Sequence, residues 1–594
     1  MLKSLFRTKK ISNILAEGSY DAHSHGLKRV LTMKDLTFFG IAAILGAGSF
    51  SSLGAAVFHG GPGVVILFVI TAIACAFTAL CYSEFASRIP VAGSAYTYAY
   101  ASFGELFAWI IGWALIMEYS IGNIYVAYSW SDYFTSFLHK IGVHLPEYLS
   151  TSYMEVQHAL KAGSTQTDVL EAWKTAPVIA GLHIIFDLPA LIINVLITAL
   201  VYRGIKESRN FSNLMVILKM IVVLMVILVG GYLVFSNGLT GNWEPINDSG
   251  VKAFMPNGFS GVMAAVSGVF FAYIGFDAVS VLAEESKNPQ RDLPRGMILS
   301  LVICTIVYIL LTMVLTGAVN YRNFEGVGDP LAFIFEKQNL NVAWMQLFVA
   351  VAAIVAMTSV LLVFQMGQPR IWMSMSRDGL LPPVFQKIHH KFKTPSFATI
   401  VTGIVVGVPI LFTDKTFVLD FTSIATLFAF VLVCGGVLLI PRREKEAGKF
   451  HIPFINGQYI FPLMIVGSLA ILYFFNNNYF QEIFSFSLTD AEAKAAVAGL
   501  EKATPSVIQH NLDIAISAKE TLNVSTIIFW IICFGLSIIT FIKKYSLIPL
   551  LGLGTCLYLL TGMTLINWQW FGSWLLVGLV LYLLYGYRKS KLAS

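Results

Sequence analysis

The stretch LTFFGIAAILGAGSFSSLGAAVF, residues 36–58, is long and apolar enough to cross a lipid bilayer, yet its centre is weak. Gly46, Ala47 and Gly48 sit in the middle, followed by Ser49, Ser51 and Ser52. A glycine in a helix interior costs about 1 kcal/mol relative to alanine. A segment in lipid also has no water to satisfy freed backbone groups. Such a centre is tolerable only where it packs closely against another helix or lines a cavity.

The rest of the chain has the same character. Of 594 residues, 57% are hydrophobic and 12% charged, and the mean hydropathy is +0.73. A soluble domain carries about 25% charged residues, so this is a polytopic, all-helical membrane protein. The first apolar run begins too late and runs too long for a cleaved signal peptide, and it is expected to stay. Fourteen apolar runs follow the span-length rule: 36–58, 64–82, 106–134, 178–202, 213–235, 260–283, 297–319, 343–368, 397–413, 417–440, 459–476, 524–542, 546–566 and 570–587. With the N-terminus inside, about 28 basic residues fall in inside segments and about 10 outside, the bias of cytoplasmic loops. Removing one span would put the later basic clusters on the wrong side. A multi-pass protein of the plasma or inner membrane, with both termini cytoplasmic, is therefore expected. Topology also accounts for the net charge of +6 without nucleic acid. The expected surroundings are lipid, with a small membrane-protein partner left open.

Two outside segments are long and polar, 136–177 and 477–523. The second contains TDAEAKAAVAGLEKA, which predicts a short surface helix capped by Thr489 or Asp490. All six cysteines lie inside apolar runs at no metal-ligand spacing, which predicts small buried hydrophobes. There is no phosphate-binding loop, metal constellation or nucleophile elbow, so no enzyme and no cofactor are expected.

The sixth run, FSGVMAAVSGVFFAYIGFDAVSVLAEE, repeats the oddity of the first, with Gly275 beside Asp277. Glycine-interrupted spans at corresponding positions of two halves point to an inverted-repeat transporter. Freed N–H groups at such breaks attract an anion and freed carbonyls a cation, and a zwitterionic amino acid needs both. Ionisable residues at depth are functional candidates. Glu118 lies about a dozen residues, or about 18 Å, from either end of its span; a hydrogen-bonded structural carboxyl and a place in a binding site or proton pathway are both open. Asp187 reads as structural, and His183 and Glu84 as interfacial. The SRDG and NPQRDLP loops read as gating and packing elements of the cytoplasmic face.

The segments GLKRVLTMKDLTFFGIAAILGAG, RIPVAGSAYTYAYASFGELFAWIIGWALIMEY, FFAYIGFDAVSVLAEESKNPQRDLPRGMI and SMSRDGLLPPVFQKIHHKFKTPSFAT together resemble the cationic amino acid transporter family of the amino acid–polyamine–organocation superfamily. The resemblance covers most of residues 26–440 and loosens beyond, where fourteen spans are closer to the animal members than to the twelve-span bacterial ones. It implies a five-plus-five inverted repeat, 36–235 and 260–440, with the first and sixth helices unwound, as a transport core. Around it would stand a cytoplasmic segment, 1–35, and four additional helices within 441–594. It further implies that Gly46, Ala47, Gly48 and the Ser49 amide hold a substrate carboxylate. Carbonyls near Ile44, Phe271, Ala272 and Ile274 would hold the ammonium, and Phe271 would gate the pocket. Asp277 would stand near the substrate side chain, and Glu118 matches a glutamate of the third helix. Lys219 matches the helix-5 lysine that takes the place of a bound cation in proton-coupled members. Ser49 stands where members usually carry an apolar residue. The expected function is secondary transport of amino acids, by proton symport, with arginine, lysine and ornithine or a broader range as substrates. Exchange of amino acids or polyamines, and a non-concentrating receptor or channel, are the alternatives.

Overall fold

The computed structural model describes residues 7–12, 14, 31–46, 48–90, 93–161, 167–179, 181–203, 209–247, 250–390, 392, 394–441, 449–475, 479–485, 487–488, 493 and 505–592. In lipid the backbone must satisfy its own hydrogen bonds, so the apolar runs fold as helices. The first is split into α1 (Met33–Ile44) and α2 (Leu53–Gly60), joined by a bend at Leu45 and Gly46 and a π-helical turn, Gly48–Ser52. The Asp35 carboxylate fixes the start of α1 by accepting from the Thr32 N–H at 2.9 Å and the Thr32 hydroxyl at 2.6 Å. Next come α3 (Val64–Arg88), the short α4 (Ala95–Ser102) and the long α5 (Glu105–Lys140).

Beyond α5 the chain forms a small cap. It contains α6 (Tyr153–Lys161), α7 (Thr167–Thr175) and an antiparallel pair of two-residue strands, β1 (Val178–Ile179) and β2 (Leu182–His183). Val156, Ala172, Ala176 and Ile185 form its own apolar cluster, and the His183 ring stacks on Trp173 at 3.7 Å. The cap shortens the fourth predicted span. Residues 178–187 lie outside α8 (Leu188–Arg203), because the Asp187 carboxylate accepts from the Ala190 N–H at 2.9 Å and starts the helix there. Asp187 is structural, as expected, but it stands at a helix start rather than at depth. The predicted helix at Thr489 and Asp490 lies outside the described residues.

The fifth span is α9 (Arg209–Met225), continued through a π turn into α10 (Gly231–Ser236). The sixth is broken like the first, into α11 (Gly258–Ala264), α12 (Val266–Phe271), a turn over residues 272–276 and a 3-10 helix, Asp277–Glu285. Then follow α13 (Pro289–Ala318), α14 (Ala343–Arg377), α15 (Ser396–Ile410) and α16 (Lys415–Leu439). The chain ends with α17 (Ile460–Phe475), α18 (Pro505–Lys543), α19 (Leu547–Leu560) and α20 (Leu565–Leu581). A helix, whole or broken, thus lies within every predicted run. Among the described residues, 8 helical stretches are long and apolar enough to cross a membrane, one of them running through the first two spans, and four shorter apolar helices accompany them.

Burial separates centre from periphery. The apolar part of α5 is 94% buried, whereas those of α18 and α20 are 22% buried. Their outward side chains, such as Ile538, Ile542 and Leu576, are exposed and suit contact with lipid tails. All six cysteines are free and buried. Glu84, expected at an interface, is instead buried at 3% exposure, where its carboxylate accepts from Arg88 Nε at 2.7 Å and the Ile452 N–H at 2.8 Å. The two ends of the described chain meet on one face, with the Arg7 guanidinium 5.8 Å from the centre of the Tyr587 ring. That face is called proximal below, and the face carrying the cap is called distal.

Candidate functional site

The two breaks touch. A Cβ at Gly48 would lie 2.6 Å from Ala272 Cα, and one at Gly275 would lie 2.7 Å from Ala43 Cβ. Gly275 also has φ +114°, a region that L side chains rarely adopt. The small residues therefore serve close packing of one break on the other, while leaving both backbones irregular. Ser52 Oγ joins the halves, lying 2.8 Å from the Gly48 carbonyl and 3.0 Å from the Gly268 carbonyl. On the other side of the first break, a Cβ at Gly46 would meet Val360 Cγ2 of α14 at 2.3 Å.

The freed backbone groups are partly engaged. The Ile44 carbonyl accepts from the Gly46 N–H at 2.9 Å and from the Tyr308 hydroxyl of α13 at 2.7 Å. The Ser49 N–H donates to the Gly46 carbonyl at 3.1 Å, and the Ser49 hydroxyl to the same oxygen at 3.0 Å. The Ile274 N–H donates to the Phe271 carbonyl at 3.1 Å, and the Ala272 N–H to Gly268 at 3.3 Å. In this conformation the amides of Gly46 and Ser49 and the carbonyl of Ile44 thus bond within the protein, and a substrate must displace these partners to use them. Gly48 lies in the π turn beside them, whereas Ala47 is outside the described residues. The break at the first span is narrower than the sequence suggests, because Gly48 and Ser49 are helical, in a wider turn.

Side chains of α5 and α9 also converge on the breaks. Phe271 packs on Tyr125 of α5 with ring centres 4.4 Å apart, and the Tyr125 hydroxyl lies 3.4 Å from Ser51 Oγ. The Tyr133 hydroxyl donates to the Phe50 carbonyl at 2.5 Å. Lys219 of α9 is 1% exposed and its Nζ donates to the Ala42 carbonyl of α1 at 2.7 Å. The ammonium thereby ties the fifth span to the last turn before the first break. A charge at this depth is tolerated only with such a partner.

Asp277 and Glu118 form a second group on the proximal side of the sixth-span break. Both are buried, and each keeps one carboxyl oxygen, Asp277 Oδ1 and Glu118 Oε2, without a protein hydrogen-bond partner. The backbone at Gly275 and Ala278 bonds to Asp277, and Thr426 of α16 bonds to Glu118. Tyr82 and Tyr119 stand within electrostatic reach of both carboxyls, and their hydroxyls also lack partners. Four unpartnered oxygens around two buried acids suit a ligand that carries hydrogen-bond donors or positive charge.

The structure brings together Ile44, Gly46, Gly48, Ser49, Phe271, Ala272, Ile274 and Asp277, with Lys219 bonded beside the first break and Glu118 beside Asp277. Sequence reasoning missed Tyr82, Tyr119, Tyr125, Tyr308 and Thr426. Their signal is faint: tyrosine belongs at membrane interfaces, so tyrosines deep within apolar runs are the available sign. Their partners lie in distant spans.

The profile of the amino acid permease family matches residues 31–488. A branched-chain amino acid permease of Bacillus subtilis (strain 168) is 40% identical over 474 residues, covering 80% of this chain and 92% of the relative. A methylthioribose transporter of the same organism is 38% identical over 457 residues, covering 76% of this chain and 89% of the relative. The vacuolar cationic amino acid transporter 2 of Arabidopsis thaliana is 31% identical over 640 residues, covering 100% of this chain and 94% of the relative. The matched family and these relatives are transporters, not enzymes. The chain belongs to the amino acid permease family and is a multi-pass membrane transporter of amino acids.

Proposed function

We propose that the protein is a proton symporter of amino acids whose coupling group is Lys219. The observation that carries this reading is the 2.7 Å bond from Lys219 Nζ to the Ala42 carbonyl, across the joint between the fifth span and the first half of the broken first span. An ammonium there replaces a bound metal cation, and loss of its proton removes the positive charge, weakens the tie and frees α1 to move. Proton movement is then coupled to opening of the proximal gate. The substrate's carboxylate lies against the first break and its ammonium against carbonyls of the two breaks. Phe271 and Tyr125 close over it, and its side chain points toward Asp277 and Glu118. These two acids favour substrates with a basic side chain, within a family whose relatives here carry names of branched-chain and cationic transporters.

The proximal face is cytoplasmic in this reading, because the inside segments hold most of the basic residues. Residues 36–440 are the transport core, and the helices of 441–594 pack against it. The test is uptake into proteoliposomes of purified protein. Accumulation of lysine or another amino acid driven by a pH gradient, abolished by a protonophore and indifferent to sodium, is expected. Uptake that requires sodium, or a preloaded counter-substrate and no proton gradient, overturns the proposal in favour of sodium coupling or exchange.

A further inference from the structure

We infer that Glu105 is a positioning residue of the proximal gate, which it holds closed by binding the C-terminal tail of the chain across it. This rests on the reading of the proximal face as the side that opens, and not on how transport is coupled. Glu105 begins α5 after Gly104 and is wholly buried, at 0% exposure. Its carboxylate gathers three donors. Oε1 accepts from the Tyr582 hydroxyl at 3.0 Å, and Oε2 accepts from Ser590 Oγ at 2.5 Å and from the Tyr100 hydroxyl at 3.3 Å. Its own N–H donates to the Arg7 carbonyl at 2.9 Å. One residue therefore binds the start of the described chain, the end of α4 and the tail beyond α20.

The tail continues onto the loop that follows α14. The Lys591 N–H donates to the Asp378 carbonyl at 3.1 Å, and Gly379, at φ +82°, approaches the Lys589 carbonyl so closely that a Cβ would stand 2.4 Å from it. Asp378 meanwhile holds the N-terminal segment through Lys9 Nζ at 2.8 Å and α4 through the Tyr96 hydroxyl at 2.7 Å. The place where the tail emerges is fixed by α20. Trp109 Nε1 donates to the Gly578 carbonyl at 2.8 Å, Trp113 Nε1 to Trp574 at 2.9 Å, and Trp574 Nε1 to Trp113 at 3.1 Å.

The consequence is a strap. Residues 7–9, the tail and the loop at 378–379 are bonded to one another through Glu105 and Asp378. The proximal ends of α5, α14 and α20 cannot separate without breaking these bonds. Lifting the tail takes Ser590 and Tyr582 from Glu105, and a buried carboxylate stripped of donors is unfavourable. Closure is thus the preferred state, and the last span and tail supply the preference.

The test uses the full chain in lipid nanodiscs, with Ser280→Cys as reporter on the proximal side of the sixth-span break. Ser280 is buried and hydrogen-bonded to Ser94 at 2.8 Å, and the six native cysteines are buried. Labelling of this cysteine by a membrane-impermeant maleimide reports opening of the proximal side. Glu105→Ala is expected to raise the labelling rate at least fivefold, as is removal of residues 587–594. The pair Tyr582→Phe with Ser590→Ala, which leaves Glu105 in place, is expected to raise it by an intermediate factor. In proteoliposomes the same variants should lower the proximal-side KM relative to the distal-side KM while exchange persists, a split that general loss of structure would not produce. If Glu105→Ala fails to fold, the tail deletion and the donor pair decide. Labelling within twofold of the parent in both of these overturns the proposal. So does acceleration by Glu105→Ala without acceleration by the tail deletion, because the tail then carries nothing.

Discussion

Lys219 and Asp277 carry different parts of the proposed mechanism, and single substitutions separate them. Lys219→Met keeps the length and apolar stem of the side chain but removes the donor to Ala42. The variant is expected to fold and bind substrate within about tenfold of wild type, about 1.4 kcal/mol, while losing pH-driven accumulation in proteoliposomes. Undiminished accumulation would refute the coupling role. Asp277→Asn retains an oxygen for the backbone donors at Gly275 and Ala278 and removes the charge. Thermal-shift titrations should then show lysine and arginine weakened about tenfold or more relative to alanine, the scale of one lost charge-assisted bond. Equal weakening of all three ligands would exclude a side-chain role. A third residue speaks to pH. In the distal loop, burial pushes the Asp329 carboxyl up to about 6, against the pull of the Lys140 ammonium at 4.0 Å and the Ser136 hydroxyl at 2.9 Å. The folded state thus holds this proton more tightly than the unfolded chain. Its contribution to stability is full below about pH 4, the unfolded value, and is lost as pH rises through about 6. Melting curves of wild type and Asp329→Asn should therefore diverge between pH 4 and 7, the wild type losing about 1–3 kcal/mol relative to the variant. Parallel curves would contradict this.

At the scale of elements, the broken spans work because two glycines let them meet. Gly275→Ala forces a side chain into φ +114° and brings its Cβ to 2.7 Å from Ala43 Cβ. The strain of such a position is about 1–3 kcal/mol, and the contact falls between the two mobile halves. Transport is expected to fall at least tenfold, with the unfolding midpoint lowered by several degrees. Near wild-type transport by this variant would mean that the breaks separate in the working protein. The existence of both breaks was legible in the glycines of residues 46–48 and in Gly275 beside Asp277. The form of the first was not. Its π turn depends on Ser49 and Phe50 reaching back to the Gly46 carbonyl, and on Ser52 reaching across to Gly268. The late start of α8 is similar: Ser131 of α5 holds the Asp187 carboxylate at 2.6 Å, and that carboxylate stops the helix from beginning earlier.

At the scale of the molecule, the distal side is drawn together between α5 and α16. Asp132 forms an ion pair with Lys415, and the Lys415 ammonium stands 5.6 Å from the centre of the Tyr125 ring, which in turn covers Phe271. His158 of the cap reaches Asp414, next to Lys415, at 3.1 Å. The ion pair, the Tyr125 ring and Phe271 form one column beside the breaks. Asp132→Ala and Lys415→Ala should each change the distal-side KM. Their double-mutant cycle should give a coupling of about 0.5–3 kcal/mol, as expected for residues in contact. Additive effects would show that the pair does not act as a unit.

The apolar runs that fold as helices, the positions of the two breaks and the candidacy of Lys219, Glu118 and Asp277, all buried in the fold, were readable from the chain itself. Bilayer thickness fixes the length of an apolar run, basic residues mark the loops, and glycine marks where a helix gives way. These are local properties, carried by neighbours in sequence. The partners were decided by the tertiary structure. Ile44's carbonyl is shared with Tyr308, Glu118 lies against Thr426, Lys219 finds Ala42, and Glu105 receives Ser590 from the far end of the chain. Each pairing joins residues that no periodicity relates, and in a membrane bundle it is packing and hydrogen bonding between helices, rather than hydrophobicity, that selects which faces meet.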